Sequence, residues 1–78
     1  MKLIALNLPR DFDEDALAKL FKAYGNIKAC NLVMDDKTGR SKGFGFVDMA
    51  LEHEGLVAIQ ELHHSMIRNH KIRVRPAD

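Results

Sequence analysis

The segment Lys42-Gly43-Phe44-Gly45-Phe46-Val47-Asp48-Met49 constrains this chain more than any other. In an extended strand, successive side chains point to opposite faces. Lys42, Phe44, Phe46 and Asp48 then fall on one side, and Gly43, Gly45, Val47 and Met49 on the other. Aromatic residues in strands are usually core, but a strand that buried these two rings would place its cation elsewhere. The segment therefore predicts a sheet with one packed face and one open face that displays two rings beside a positive charge.

The rest of the chain supplies the partners of such a sheet. Residues 2–8 read as a first strand ended by Pro9, with Lys2, Ile4 and Leu6 on one face and Leu3 and Ala5 on the other. Asp13 suits a helix N-cap, and Glu14 and Asp15 suit the positive end of the helix dipole. Leu17, Leu20, Phe21 and Tyr24 form a single apolar stripe, and Gly25 is expected to cap its C-terminal end. Residues 27–34 alternate as a second strand, with Cys30, Leu32 and Met34 opposite Ala29, Asn31 and Val33. A polar loop over residues 35–41, carrying Lys37 and Arg40, leads into the aromatic strand as a mobile hairpin. Residues 52–62 read as a second helix packed through Gly55, Ala58, Ile59 and Leu62. Residues 63–69 are a connection in which Asn69 suits a positive φ. Lys71 to Arg75 then alternate as a last strand, with Ile72 and Val74 inward and Pro76 as its stop.

The predicted order is βαββαβ, an α+β arrangement of the ferredoxin-like type. Each helix has one apolar stripe to bury, so both must cover the same face of the sheet. Periodicity yields this order of elements and leaves the strand arrangement open. The 78 residues suit one domain near the lower size for folding on core burial alone. No apolar run approaches the roughly 20 residues needed to span a membrane. The single cysteine, Cys30, excludes an internal disulfide and fits a reducing, cytoplasmic setting.

The net charge of +1 says little about partners; its distribution says more. Lys37, Arg40 and Lys42 form one acid-free group, and Arg68, Lys71, Arg73 and Arg75 form another. The acids concentrate at Asp11, Asp13, Glu14 and Asp15, and at Glu52, Glu54 and Glu61. A molecule built this way is polarised despite its small total. Two rings beside cations are what single-stranded nucleic acid requires, π-faces for bases and charge for phosphates.

The aromatic strand fits the octamer Lys/Arg-Gly-aromatic-Gly-aromatic-Val-x-aromatic, and there the chain resembles the RNA recognition motif family, with Met49 in place of the last aromatic. The shorter family signature, aliphatic-aromatic-aliphatic-x-Asn-Leu, aligns with Leu3-Ile4-Ala5-Leu6-Asn7-Leu8. The resemblance covers essentially the whole chain. It implies a four-stranded antiparallel sheet with two helices on one face and a single-stranded RNA site on the other. By the family's pattern, that site comprises Lys2, Ile4, Leu6, Asn31, Val33, Arg40, Lys42, Phe44, Phe46, Asp48, Arg73 and Arg75, with main-chain groups of residues 74–77 reading base edges. Phe44 and Phe46 would stack on bases, while Lys42 and Arg73 would meet phosphates. Ile4 stands where the family usually has a stacking aromatic, and Leu6 where glycine is common. The lost platform predicts binding weaker than the family norm by about 1–3 kcal/mol. As a one-domain chain it is similar to the small stand-alone RNA-binding proteins of bacteria.

Other readings fare worse. Cold-shock barrels share the Lys-Gly-Phe-Gly-Phe string, but they lack the helical stripe that precedes it here. His53, His63, His64 and His70 show no zinc-ligand spacing and read as solvated side chains. The acids at 11–15 read as helix capping. No nucleophile with an activating base and no phosphate-cradling loop appears, so neither enzyme nor cofactor is expected. A second class of function stays open: Ile4, Leu6, Val33, Phe44 and Phe46 could form an apolar patch that docks a protein partner or a second copy. Single-stranded DNA is also an allowed ligand, because stacking alone does not distinguish it from RNA.

Overall fold

A computed structural model of the chain describes residues 1–77. Strand β1 (Lys2–Leu6) leads to helix α1 (Glu14–Lys22), then β2 (Ile27–Met34), β3 (Ser41–Met49) and helix α2 (Glu52–Leu62). A two-stranded ribbon, β4 (Met66–Ile67) with β5 (His70–Lys71), precedes the last strand, β6 (Arg73–Pro76). The four long strands form one antiparallel sheet in the order β2-β3-β1-β6.

The alternation read from β3 holds residue by residue: Ser41, Gly43, Gly45, Val47 and Met49 are buried, while Lys42 is exposed and Phe44, Phe46 and Asp48 are half-buried. On the packed face, Leu3, Ala5, Leu32, Val47, Met49, Ile72 and Val74 meet Leu17 and Phe21 of α1 and Ala58 and Leu62 of α2 in one core. Asp13 caps α1, its Oδ1 accepting a hydrogen bond from the Ala16 N–H at 2.7 Å.

Several boundaries differ from the expectations. β1 stops at Leu6 because Asn7 turns left-handed, with φ 62°, and its side-chain amide donates to the Lys71 carbonyl at 2.9 Å. That turn rotates Leu8 into the core, where its N–H donates to the Gly43 carbonyl. Gly25 is not a left-handed cap, since α1 ends through Ala23 in right-handed geometry. Its missing side chain instead admits Glu54, whose Oε1 accepts from the Asn26 N–H at 3.1 Å. Met34 shares parity with Leu32 but lies beyond an irregularity in β2 and is exposed. The 35–41 loop is a hydrogen-bonded turn: Asp35 Oδ1 accepts from the Lys37 N–H, and the Asp35 N–H donates to the Arg40 carbonyl.

The connection after α2 contains the unforeseen β4–β5 ribbon. Arg68 and Asn69 form its turn with φ of 48° and 69°, the paired left-handed geometry that matches strand twist in two-residue hairpins. Asn69 suits it, as expected; Arg68 does not. Lys71 belongs to this ribbon rather than to β6. Pro76 does not stop β6 but lies within it, opposite Leu3. The Ala77 N–H donates to the Lys2 carbonyl, so the nitrogens of Val74 and Pro76 point to the open edge, where proline is tolerated.

Candidate nucleic-acid interface

The register of the sheet arranges the open face in rows. One row runs Asn31, Phe46, Ile4, Arg75 across β2, β3, β1 and β6. The next runs Phe44, Leu6, Arg73, and a third places Ala29, Asp48 and Lys2 side by side. Each of the first two rows thus carries a ring at the centre, an aliphatic side chain beside it and a guanidinium at the β6 edge. Direct cross-strand neighbours lie about 4.5–5.5 Å apart at Cβ, which makes each row one continuous contact surface.

Within this surface the rings of Phe44 and Phe46 meet edge to face, with centroids 6.3 Å apart and planes at 82°. The Lys2 ammonium sits 5.2 Å from the Phe46 ring centre, a cation–π contact. Asp48 is the one carboxylate of the three rows, and the Met1 amino group lies 3.4 Å from its Oδ1. A shallow hollow of about 420 Å³, bordered by Leu6, Lys42, Phe44, Arg73, Asn7 and Arg10, opens at one end of these rows.

Ten of the twelve expected site residues lie in these rows or on their border: Lys2, Ile4, Leu6, Asn31, Lys42, Phe44, Phe46, Asp48, Arg73 and Arg75. Val33 is half-buried at the irregularity between Leu32 and Met34 and does not enter the row register. Arg40 is off the face altogether. It lines a separate concavity with Pro9, Arg10, Asp11, Arg68 and His70, because the tight Asp35 turn carries it round the end of the sheet.

Arg10 escaped the sequence reading. Its guanidinium packs over Gly43, so that a side chain there would lie 2.9 Å from its Nε. Arg10 follows the β1 strand outside any periodic element, so no spacing marks it. Arg68 likewise departs from the expected basic group, since its Nη1 bonds Asp11 Oδ2 at 2.7 Å and its guanidinium lies 5.4 Å from the Phe12 ring centre. Asp11 therefore anchors an arginine rather than capping a helix.

His53, His63 and His64 are exposed, as the solvated reading expects, and His70 is half-buried, but His63 and His64 also make contacts within the chain. His63 Nδ1 accepts the outward Val74 N–H at 3.1 Å, and the His63 and His64 rings stack with centroids 3.9 Å apart. The pKa of His64 is lowered by His63, by desolvation, and by Lys71 and Arg73. The Cys30 thiol is raised by burial and by Glu14, which opposes thiolate reactivity. Among the described residues no cluster of three or more His, Cys, Asp or Glu is placed to hold a metal.

Comparison with known proteins agrees with this geometry. Residues 6–73 match the RNA recognition motif family. A Sex-lethal homolog of Megaselia scalaris is 42% identical over 72 residues, covering 92% of this chain and 22% of that protein. The chloroplastic RNA-binding protein CP31B of Arabidopsis thaliana is also 42% identical, with 92% and 25% covered. The chain thus spans about a quarter of the length of these curated relatives. Among solved structures, one titled as a Sex-lethal protein/RNA complex superposes with a TM-score of 0.93 at 38% identity, covering 99% of this chain and 46% of that one. The crystal structure of RNA Binding Protein PG1 superposes at 0.94 with 35% identity, covering 99% and 93%.

Proposed function

This chain belongs to the RNA recognition motif family, and from that premise we propose that its open sheet face binds single-stranded RNA without catalysing a reaction. The observation that carries this reading is the pair of rows in which Phe46 and Phe44 are each followed by an aliphatic side chain and then Arg75 or Arg73. Bases stack on the two rings, and the strand's phosphates meet Lys42, Arg73 and Arg75. Lys2 covers Phe46 in the free protein. A cation–π contact at an exposed site is worth about 0.5–1 kcal/mol and a base stack about 1–3 kcal/mol, so a base displaces Lys2 toward a phosphate. Asn31 and Asp48 contribute hydrogen-bonding groups at the far end of the rows, and Val33 a flanking apolar contact.

The test is the double variant Phe44→Ala/Phe46→Ala in a binding titration with short random-sequence RNA. Loss of both platforms weakens binding by about 2 kcal/mol or more while the folded spectrum persists. Full affinity in a folded double variant would refute the reading. Replacing the RNA by DNA of the same sequences tests whether the 2′-OH is read.

The same rings and aliphatics also suit a protein partner or a second copy, but the cations that interleave them favour a polyanion. We propose a reducing, cytoplasmic setting on the strength of Cys30, which has no second cysteine to pair with. Whether the module stands alone, as in small bacterial proteins, or within a longer chain like its relatives, the sheet footprint is the same.

A further inference from the structure

We propose that the outer face of α2 docks on the open sheet face of a second copy of this chain, head to tail, and that RNA displaces it. The inference concerns regulation of the sheet site and rests on the reading of that face as the RNA site.

α2 is apolar on two sides. Gly55, Ala58 and Leu62 face the core, yet Leu56 and Val57 on the opposite side are 51% and 44% exposed. With the exposed His53 and Gln60 they fall at i, i+3, i+4 and i+7, the spacing of one helix face. A surface helix ordinarily turns polar residues outward there. Glu52 and Glu61 flank this stripe, both exposed, and α2 carries no lysine or arginine. Its third acid, Glu54, is turned to the Asn26 N–H.

Charge decides how copies pair. Two sheet faces together would oppose Lys2, Lys42, Arg73 and Arg75 to the same four cations. Two α2 faces, antiparallel about Leu56 and Val57, would set Glu52 against Glu61 twice over. α2 on the sheet is the pairing that joins unlike charges around two apolar centres. Both helices cover the packed face, so the outer side of α2 and the open sheet lie on opposite sides of one molecule. The contact is therefore between copies and heterologous, and it leaves a free sheet at one end of the stack and a free helix at the other.

The dimensions agree. At about 1.5 Å per residue, Glu52 and Glu61 stand about 13 Å apart along α2. Four strands about 4.8 Å apart give the Asn31, Phe46, Ile4, Arg75 row a span of about 14 Å. With Leu56 and Val57 seated on Ile4, Glu61 comes to Arg75 and Glu52 to Lys2, the cation that covers Phe46. One face of an eleven-residue helix covers less than the roughly 800 Å² per partner of a stable interface. The association is accordingly weak, with a dissociation constant of about 0.1–1 mM, and a tighter RNA displaces it.

Sedimentation of the whole chain up to about 1 mM tests this, with Leu56→Glu to spoil the helix face and Ile4→Glu to spoil the sheet face. Both are checked for folding by amide spectra; if Ile4→Glu fails to fold, the exposed Arg75→Glu takes its place. The unaltered chain is expected to gain mass with concentration, and each variant alone to stay monomeric. An equal mixture of the two is expected to form a one-to-one pair, because it still holds one intact helix face and one intact sheet. Short random-sequence RNA is expected to return the unaltered chain to monomer, and Leu56→Glu to bind that RNA unchanged in dilute solution. A chain that stays monomeric throughout overturns the inference and leaves the RNA reading standing. A Leu56→Glu variant that associates like the unaltered chain overturns it by excluding α2, and a silent mixture overturns it by requiring like faces to meet. RNA that binds without dissolving the association overturns it by freeing the sheet. RNA that does not bind at all overturns the sheet-face reading, and with it the regulation, even where the mixture pairs.

Discussion

Ile4 is the residue on which affinity turns. It lies between Phe46 and Arg75 in the central row, half-buried, with its side chain on the open face. Ile4→Tyr adds a third platform there without touching the core. It is expected to tighten RNA by about 1–3 kcal/mol in a fluorescence titration; an unchanged affinity would show that no base reaches the β1 position of this row. The two glycines of β3 matter for different reasons. A side chain at Gly45 would stand 2.8 Å from Leu17 Cδ2 and 2.9 Å from the Asn31 carbonyl oxygen, and the main-chain contact cannot swing aside. Gly45→Ala is therefore expected to cost about 1–3 kcal/mol in denaturant unfolding, as overpacked cores do. At Gly43 the left-handed φ of 88° is the main constraint.

Among elements, the junction of α2 with β6 couples stability to acid. His63 ends α2, its N–H donating to the Ile59 carbonyl, and its Nδ1 accepts the Val74 N–H of the edge strand. His64, stacked on it at a left-handed φ of 68°, has its pKa lowered first by His63, then by desolvation, Lys71 and Arg73. A base whose folded pKa lies below its unfolded one binds fewer protons when folded. Its contribution is thus fully present above the ordinary histidine value, about 6.5, and is lost as pH falls below it. The melting temperature is expected to drop between neutral pH and about pH 5. His64→Asn, which suits the left-handed backbone, should lessen that drop; an identical acid response would place its origin elsewhere.

At the scale of the molecule, charge is sorted by face. Five acids, Glu14, Asp15, Glu52, Glu54 and Glu61, outnumber Lys19 and Lys22 on the helices, while Lys2, Lys42, Arg73 and Arg75 lie on the sheet with Asp48 as the one acid of its rows. This polarity attracts a polyanion to the sheet although the net charge is only +1. Three to four phosphate contacts predict a slope of log affinity against log salt of about −2 to −3 for short RNA. Arg75→Gln should make the slope shallower by about 0.7. A salt-independent affinity would instead indicate an apolar docking face.

The sequence by itself determined what depends on local periodicity and composition. The parity of β3, the apolar stripe and Asp13 cap of α1, the extent of α2 and the burial of Ile72 and Val74 are all properties of neighbouring residues. Ten of the twelve residues that the family resemblance implied for the site come together on the open face or its border once the strands lie side by side. Only the tertiary structure decided the rest, because it depends on residues far apart in the chain. Strand order and register set which side chains share a row, and the left-handed Asn7, tied to Lys71, ends β1 early. The turn that Asp35 closes removes Arg40 from the face, and the β4–β5 ribbon brings Arg68 to Asp11 across fifty-seven positions. Periodicity reports which way a side chain points within its own element; it carries no information about which distant backbone will arrive beside it.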